Sequence, residues 1–486
     1  MSTTKKIGTK AWIALLTKTL IVLGSLLLVV FLASLILGLV GVLSSGALQV
    51  ILGIVLVLFV AVTVYLAFYI TYLVSFAKEE PKRHVVYEEL EEETAPSDAE
   101  DAASEETGGT DQETRKLSAE AQLKANMERF DYDDEAIASE ERMVRMARME
   151  ADRALPYDPD ALLEVRHLSK HFPLKKTMMG KVTHSLIAVD DVSFKLKPGE
   201  TLGIVGESGC GKTTMGRTIL KLYEPTTGQV IFDGKDITAY KSAQMRGIRT
   251  KMQIIFQDPY SSLPPRSTVG EILSEPVRVH GIVPKDQVKD YVLELMDKCG
   301  LRDYYYERYP HEFSGGQRQR ICIARALSVN PQLVICDEPV SALDVSIQAQ
   351  IINLLKDLQK SMNLTYLFIS HDLSVVKFIS DKIGVMYLGS MVEYGEKKDI
   401  FDNPLHPYTK ALFSAIPNPN PDVKMNRIVL SGDIPSPANP PKGCRFHTRC
   451  PNATEKCRHF TPEYREYTPG HFAACHMLAD EEYNAE

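Results

Sequence analysis

The chain has 486 residues, 44% apolar and 24% charged, with a net charge of −8. Twelve Asp or Glu and no Lys or Arg fall within residues 85–114, so without that stretch the balance moves from −8 to +4. These figures exclude a small disulfide-stapled domain, a collagen-like chain and a wholly disordered one, and give a nucleic-acid partner no support from bulk charge.

From Thr19 to Ala77, 59 residues carry no Asp, Glu, Lys, Arg or His. A spanning helix uses about 20 apolar residues. The run therefore predicts two spans, near 19–43 and 47–76, broken by the turn residues Ser44-Ser45-Gly46. Backbone groups in hydrocarbon must pair internally, which makes both spans helices. Lys5, Lys6, Lys10 and Lys18 precede the pair, Lys78, Lys82 and Arg83 follow it, and the turn is uncharged. The positive-inside rule predicts a multi-pass hairpin in the cytoplasmic membrane, in contact with lipid, with both ends in the cytoplasm. Trp12, Tyr65, Tyr69 and Tyr72 lie towards those ends, where aromatic belts form. A cleaved signal peptide is the lesser reading, because no small-residue cleavage site follows a short apolar core.

Residues 85–114 are acidic and poor in large apolar side chains, which predicts a disordered tether. Between 115 and 153, Leu117, Ala121, Leu123, Met127 and Phe130, then Met143, Val144 and Met146, are spaced loosely as amphipathic helix. A solvated helical spacer is the simpler reading, and a docking helix for a partner the sharper one.

From Leu162 the chain alternates β-branched runs with helical stretches, which predicts an α/β fold. The apolar strand Thr201–Val205 runs into Gly206-Glu207-Ser208-Gly209-Cys210-Gly211-Lys212-Thr213, with Thr214 next. This spacing matches a phosphate-binding loop: glycines allow positive φ and turn backbone N–H groups to the phosphates of ATP. Lys212 can reach the β- and γ-phosphates, and Thr213 can offer its hydroxyl to Mg²⁺. A second apolar strand, Leu333–Cys336, ends in Asp337 and Glu338. Ligands of open α/β sheets bind at such strand ends. Asp337 fits the magnesium side, and Glu338 the group that orients or deprotonates the attacking water.

Three further motifs are Phe313-Ser314-Gly315-Gly316-Gln317, Gln257 after Ile254-Ile255-Phe256, and His371 after Phe368-Ile369-Ser370. With Ser341-Ala342-Leu343-Asp344 after Glu338, the set over residues 162–415 resembles the ABC-transporter ATPase domain. The resemblance implies ATP and Mg²⁺ as cofactors and ATP hydrolysis as the activity. It implies catalytic roles for Glu338, His371 and Gln257, with Gln257 also near the metal and sensing membrane subunits. Ser314, Gly315, Gly316, Gln317 and Asp344 would meet the ATP of an opposing ATPase domain, and Phe172 is the candidate for stacking adenine.

The wording narrows the resemblance. Ala188-Val189-Asp190-Asp191-Val192-Ser193-Phe194, Gly206–Gly211, Phe256–Leu263 and His406-Pro407-Tyr408-Thr409 resemble the ATPase subunits of oligopeptide/dipeptide importers. Such importers imply a second ATPase subunit, two permeases and an extracellular peptide-binding protein. Phe313 replaces the usual Leu, Pro264 stands where relatives usually carry Asn, and the hairpin has no counterpart in the resemblance. Residues 417–443 are Pro-rich, and Cys444, Cys450, Cys457 and Cys475 follow with the spacing C-x5-C-x6-C-x17-C. In a cytoplasmic region disulfides are improbable. Four thiolates suit a [4Fe-4S] cluster, and this part resembles the cluster-binding C-terminal region of dipeptide importer ATPases. Zinc and no metal remain open alternatives, with His471 and His476 as substitute ligands. Cys210, Cys299, Cys322 and Cys336 read as small apolar core residues.

The expected organisation is a membrane hairpin over 1–84, a linker and spacer over 85–155, an ABC-type P-loop ATPase domain over 156–416, and a Cys-containing C-terminal region over 417–486. The expected function is to energise peptide import by ATP-driven dimerisation. The competing reading is a membrane-anchored ABC ATPase with a regulatory or envelope-remodelling role.

Overall fold

In this computed structural model the described residues are 134–176, 182–416 and 427–483. The expected spans 19–43 and 47–76, the acidic stretch and residues 115–133 lie outside them. Among the described residues no helix is long and apolar enough to cross a membrane.

The strands are β1 (Leu163–Lys176), β2 (Val182–Leu196), β3 (Thr201–Val205), β4 (Thr227–Phe232), β5 (Lys235–Asp236), β6 (Met252–Ile255), β7 (Leu333–Asp337), β8 (Thr365–Ile369), β9 (Lys382–Tyr387), β10 (Ser390–Glu396), β11 (Arg465–Thr468) and β12 (His471–Ala473). They form an antiparallel sheet in the order β2-β1-β4-β5 and a larger sheet in the order β11-β12-β10-β9-β3-β8-β7-β6. Strands β9, β3, β8, β7 and β6 run parallel. The tail strands β11 and β12 extend this same sheet, through Glu393 opposite Ala473 and Tyr394 opposite Phe472.

Strands β3, β7 and β8 are buried along their whole length, as parallel strands covered on both faces must be. Alternation then sorts their side chains. Leu333, Ile335, Leu367 and Ile369 join Leu202 and Ile204 in one core against the antiparallel sheet. Val334, Cys336, Tyr366 and Phe368 join Val205 in the other, against the helices. Each such apolar side chain contributes about 1.5–3 kcal/mol by leaving water. Cys210, Cys299, Cys322 and Cys336 are buried free thiols, as expected of small core residues. Burial pushes the Cys299 thiol up to about 12.

Five helices bear on the site: α1 (Asp134–Ala154), α2 (Lys212–Ile219), α3 (Gly315–Leu327), α4 (Val345–Met362) and α5 (Pro407–Ser414). Helix α1 is where the sequence predicted a helical spacer, but its buried face differs from the expected one. Ile137 and Val144, two turns apart, are buried, whereas Met143 and Met146 are 50% and 63% exposed. Polar anchors add to the docking. Arg145 pairs with Asp190 and Asp191, His167 with Asp152, and His459 and Lys442 with Asp134. Glu141 accepts hydrogen bonds from the backbone N–H and hydroxyl of Thr461.

Candidate functional site: the loop between β3 and α2

Strand β3 lies inside the parallel array, between β9 and β8, and its C-terminal end delivers the loop Gly206–Thr213 to the crevice above the sheet. Two glycines there are dictated by geometry. Gly206 has φ 150° and Gly211 φ 105°, and a Cβ on them would lie 2.2 Å from the Met386 carbonyl oxygen and 2.1 Å from that of Ala188. Lys212 is buried, and its Nζ donates to the carbonyls of Gly206 at 2.7 Å and Glu207 at 3.0 Å. Ser208 and Gly209 are exposed at the tip, while Cys210 is buried beneath it, its thiol pushed up by burial. Thr214 lies in the first turn of α2, where its carbonyl accepts from the Thr218 hydroxyl.

The carboxylates at the end of β7 come to the same place. The Thr213 hydroxyl donates to Asp337 Oδ1 at 2.7 Å. Asp337 Oδ2 is buried without a hydrogen-bond partner, 3.6 Å from the Arg217 guanidinium. Burial raises the Asp337 carboxyl, and the Thr213 bond and Arg217 oppose it. A hydroxyl beside an unsatisfied buried carboxylate oxygen is a hard-oxygen pair that fits Mg²⁺.

Glu338 has φ 47°, a left-handed backbone that is uncommon for a non-glycine residue. Gln257 Nε2 donates to its Oε2 at 2.8 Å, and His371 Nδ1 lies 3.3 Å from the same oxygen. Gln257 follows β6, Glu338 follows β7 and His371 follows β8, so three adjacent parallel strands aim their next residues at one point. An array with a carboxylate aligned by an amide and an imidazole can hold and deprotonate a water.

Other expected residues stand apart from this point. Ser314 caps α3, exchanging hydrogen bonds with the backbone and side chain of Gln317. Gln317 Nε2 also donates to Tyr305 Oη at 3.1 Å. Gly316 abuts α4 so closely that a Cβ would lie 2.5 Å from the Ile347 side chain, while Gly315 faces Leu343. Asp344 is exposed at the N-cap of α4. Phe172, on β1, is half-buried, with Tyr223 edge-on at 5.3 Å and Lys170 Nζ 4.9 Å from its ring centre.

Contacts from the C-terminal third were read in the sequence only as marks of resemblance or not at all. Tyr408 of α5 accepts a hydrogen bond from the Glu207 N–H, and Arg449 forms two bonds to the Glu207 carboxylate. Burial pushes His406 down to about 4, so its ring is neutral near pH 7 and its Nδ1 accepts from the Tyr408 N–H. Arg445 pairs with Asp190 and donates to the Leu388 carbonyl. Burial favours a neutral Asp190, but His171, Arg445 and Arg145 outweigh it and hold that carboxyl well below the usual range.

The four tail cysteines are free thiols close enough to influence one another. Burial pushes Cys444 up to about 12, and Cys457, Cys475 and Cys450 push it the same way. Yet among the described residues no group of three or more His, Cys, Asp or Glu side chains is arranged to hold a metal ion. The substitute ligands are engaged elsewhere, His471 with Glu393 at 2.8 Å and His476 with the Phe460 carbonyl at 2.9 Å. The donor chemistry suits a [4Fe-4S] cluster, but the geometry does not, and the cluster expectation has no structural support.

A glycine-pinned phosphate loop, the Thr213–Asp337 pair and the Gln257–Glu338–His371 convergence on a parallel sheet define an ABC-type P-loop ATPase. The family described as ABC transporter matches residues 189–341, and the oligopeptide/dipeptide transporter C-terminal region matches residues 392–457. The chain is 55% identical over 323 residues to the oligopeptide transport ATP-binding protein AppF of Bacillus subtilis, a match covering 66% of this chain and 98% of AppF. It is 52% identical to the putative oligopeptide transport ATP-binding protein YkfD of the same species, over 66% of this chain and 97% of YkfD. It is 50% identical to the dipeptide transport ATP-binding protein DppF of Haemophilus influenzae, over 65% of this chain and 96% of DppF. The chain belongs to the family of ATP-binding subunits of oligopeptide/dipeptide transporters.

Proposed function

We propose that this chain hydrolyses ATP to energise import of oligopeptides or dipeptides across the cytoplasmic membrane. The observation that carries this is the convergence of Gln257 and His371 on Glu338, beside the Thr213–Asp337 pair, in a chain whose relatives are named for peptide transport. Those names favour import over the regulatory or envelope-remodelling reading.

Glu338 accepts a proton from a water as that water's oxygen bonds to the γ-phosphorus. The bond from phosphorus to the bridging oxygen breaks, and ADP leaves with that oxygen. His371 and Gln257 hold Glu338 and the water in line. Lys212 and the loop N–H groups stabilise the charge on the transferring phosphoryl group. Thr213, Asp337 and Gln257 would hold Mg²⁺, which neutralises charge on the β- and γ-phosphates when bound. Ser314, Gly315, Gly316, Gln317 and Asp344 would complete the nucleotide site of a second ABC ATPase subunit, so that ATP closes a heterodimer and hydrolysis reopens it. Phe172 would stack adenine, its ring supported by Tyr223.

The proposed organisation is a hairpin over 1–84 with both termini cytoplasmic, a linker over 85–155, the ATPase domain over 156–416 and the C-terminal region over 417–486. The hairpin would keep the ATPase near its permeases and raise their effective concentration. The partners are two permeases, the second ATPase, an extracellular peptide-binding protein and membrane lipid, with no nucleic acid. A cluster on Cys444, Cys450, Cys457 and Cys475 is supported by sequence resemblance alone. A brown chromophore in anaerobically purified protein that Cys450→Ala bleaches would establish it, and colourless, iron-free protein would remove it.

The deciding experiment is a pull-down from detergent-solubilised membranes with the full chain as bait, followed by ATPase assays of the recovered assembly with and without peptide. Co-purified permeases and a second ATPase, with hydrolysis stimulated by peptide and its binding protein, are expected. Active ATPase without permeases would overturn the import reading.

A further inference from the structure

We infer that Arg449 is a positioning residue of the nucleotide site, holding Glu207, and through it the start of the phosphate loop, in the shape that receives ATP. Arg449 Nη1 donates to Glu207 Oε2 at 2.8 Å and Nη2 to Oε1 at 3.1 Å, a two-pronged fork that fixes both position and angle. The Arg449 side chain is 9% exposed and that of Glu207 25%. The remaining polar groups of Glu207 are also engaged. Its N–H donates to Tyr408 Oη at 3.0 Å, and its carbonyl accepts from Lys212 Nζ at 3.0 Å and from the Cys210 N–H at 3.2 Å. The same carbonyl thus binds the lysine that serves the phosphates and the amide that closes the loop.

The support behind Arg449 is closely packed. Tyr387 lies under its guanidinium, with the ring centre 6.0 Å away, and packs on Tyr408 at 4.8 Å and Phe446 at 5.2 Å. Arg445 secures the same segment to Asp190 and the Leu388 carbonyl. There is also an electrostatic reason for an arginine here. Glu207 places a negative charge in a loop that must accept a polyanionic triphosphate. Unopposed, that charge repels the ligand, and Arg449 neutralises it at contact distance. The fork and the neutralisation both act on ATP affinity, and neither touches the reacting atoms.

The test uses the full chain in detergent, with a fluorescent ATP analogue for binding and phosphate release for turnover. It rests on the reading that this loop binds ATP, and wild-type binding of the analogue checks that reading separately. Arg449→Gln is expected to raise KM and the analogue's Kd about tenfold, with kcat changed less than about threefold. Glu207→Gln loses the fork but also the charge, so a rise of about threefold is expected. The double variant should match Glu207→Gln rather than Arg449→Gln, because the repulsive charge is gone. Arg449→Lys, with one charge and no fork, should fall between wild type and Arg449→Gln. A merely structural arginine would lower Tm at unchanged KM, and that outcome overturns the inference, as does a double variant no better than Arg449→Gln. If Arg449→Gln fails to fold, Glu207→Gln decides alone: KM within the error of wild type overturns the inference. Wild-type protein that does not bind the analogue would instead refute the nucleotide reading.

Discussion

The two flanks of the phosphate loop are built on opposite principles. On the catalytic flank, Gln257, Glu338 and His371 come from the ends of adjacent parallel strands and meet through two hydrogen-bond-length contacts, with His371 56% exposed. On the supporting flank, Glu207 and Asp190 are gripped by Tyr408, Arg445 and Arg449, from segments roughly two hundred or more positions along the chain. The catalytic flank is open and sparsely bonded, as a site that must admit ATP and water requires. The supporting flank is buried and cross-linked, as a frame that must not move requires. Reactive groups can therefore be few if what they stand on is rigid.

Glu338→Gln should break the open flank and spare the other. Turnover is expected to fall by about 10²–10⁴-fold while ATP binding persists, measured as phosphate release against nucleotide affinity. Near-normal hydrolysis would remove the general-base role. Lys212→Ala acts where the flanks meet, since its ammonium bonds the Gly206 and Glu207 carbonyls. Loss of charge-assisted bonds worth about 1.5–3 kcal/mol should weaken ATP binding by about 10- to 100-fold, read as a rise in Kd. Gly211→Ala tests the frame, because φ is 105° and the new Cβ would meet the Ala188 carbonyl. A stability loss of about 1–3 kcal/mol is expected by chemical denaturation. An unchanged midpoint would mean the loop can re-form around the methyl.

The smallest effect concerns helix α1, which two histidines help to hold. Burial lowers His167, but Asp191 and Asp152 outweigh it and raise it, while Asp134 raises His459. A histidine raised above its unfolded value of 6.5 contributes stability that is fully present below that value. The contribution is lost as pH rises through the higher folded value. Amide exchange in residues 134–154, corrected for its intrinsic pH dependence, should therefore show weaker protection at pH 9 than at pH 6, while β3 and β7 stay protected. Equal protection at both values would mean that the histidine pairs add nothing and that the apolar contacts of Ile137 and Val144 and the Arg145, Lys442 and Glu141 contacts seat the helix.

Much of the catalytic flank was legible because its logic is local. A loop of glycines before lysine and threonine follows a strand, and carboxylates end another, so each motif announces its own position on the sheet. The resemblance placed His371 with Glu338 and Gln257 near the metal and the water; the bond from Gln257 to Glu338 comes from the order β6-β7-β8. The supporting flank was illegible because neither partner carries a local signal. Tyr408 and Asp190 stand in the sequence only as parts of family-like strings, and Arg449 in none. The tail cysteines are the opposite case: thiolate chemistry and resemblance invite a metal, but neither sets where side chains point, and no metal-holding group forms among the described residues.

By itself, then, the sequence determined the α/β class, the buried apolar strands, the phosphate loop and the placing of Asp337 and Glu338 at a strand end beside it. These depend on periodicity and on chemistry confined to a few neighbouring residues. Only the tertiary structure decided that β11 and β12 extend the ATPase sheet, that α1 docks through charges rather than through its methionines, and that a distant arginine braces the nucleotide loop. Those are long-range pairings, and their partners are chosen by the whole packed chain rather than by any segment of it.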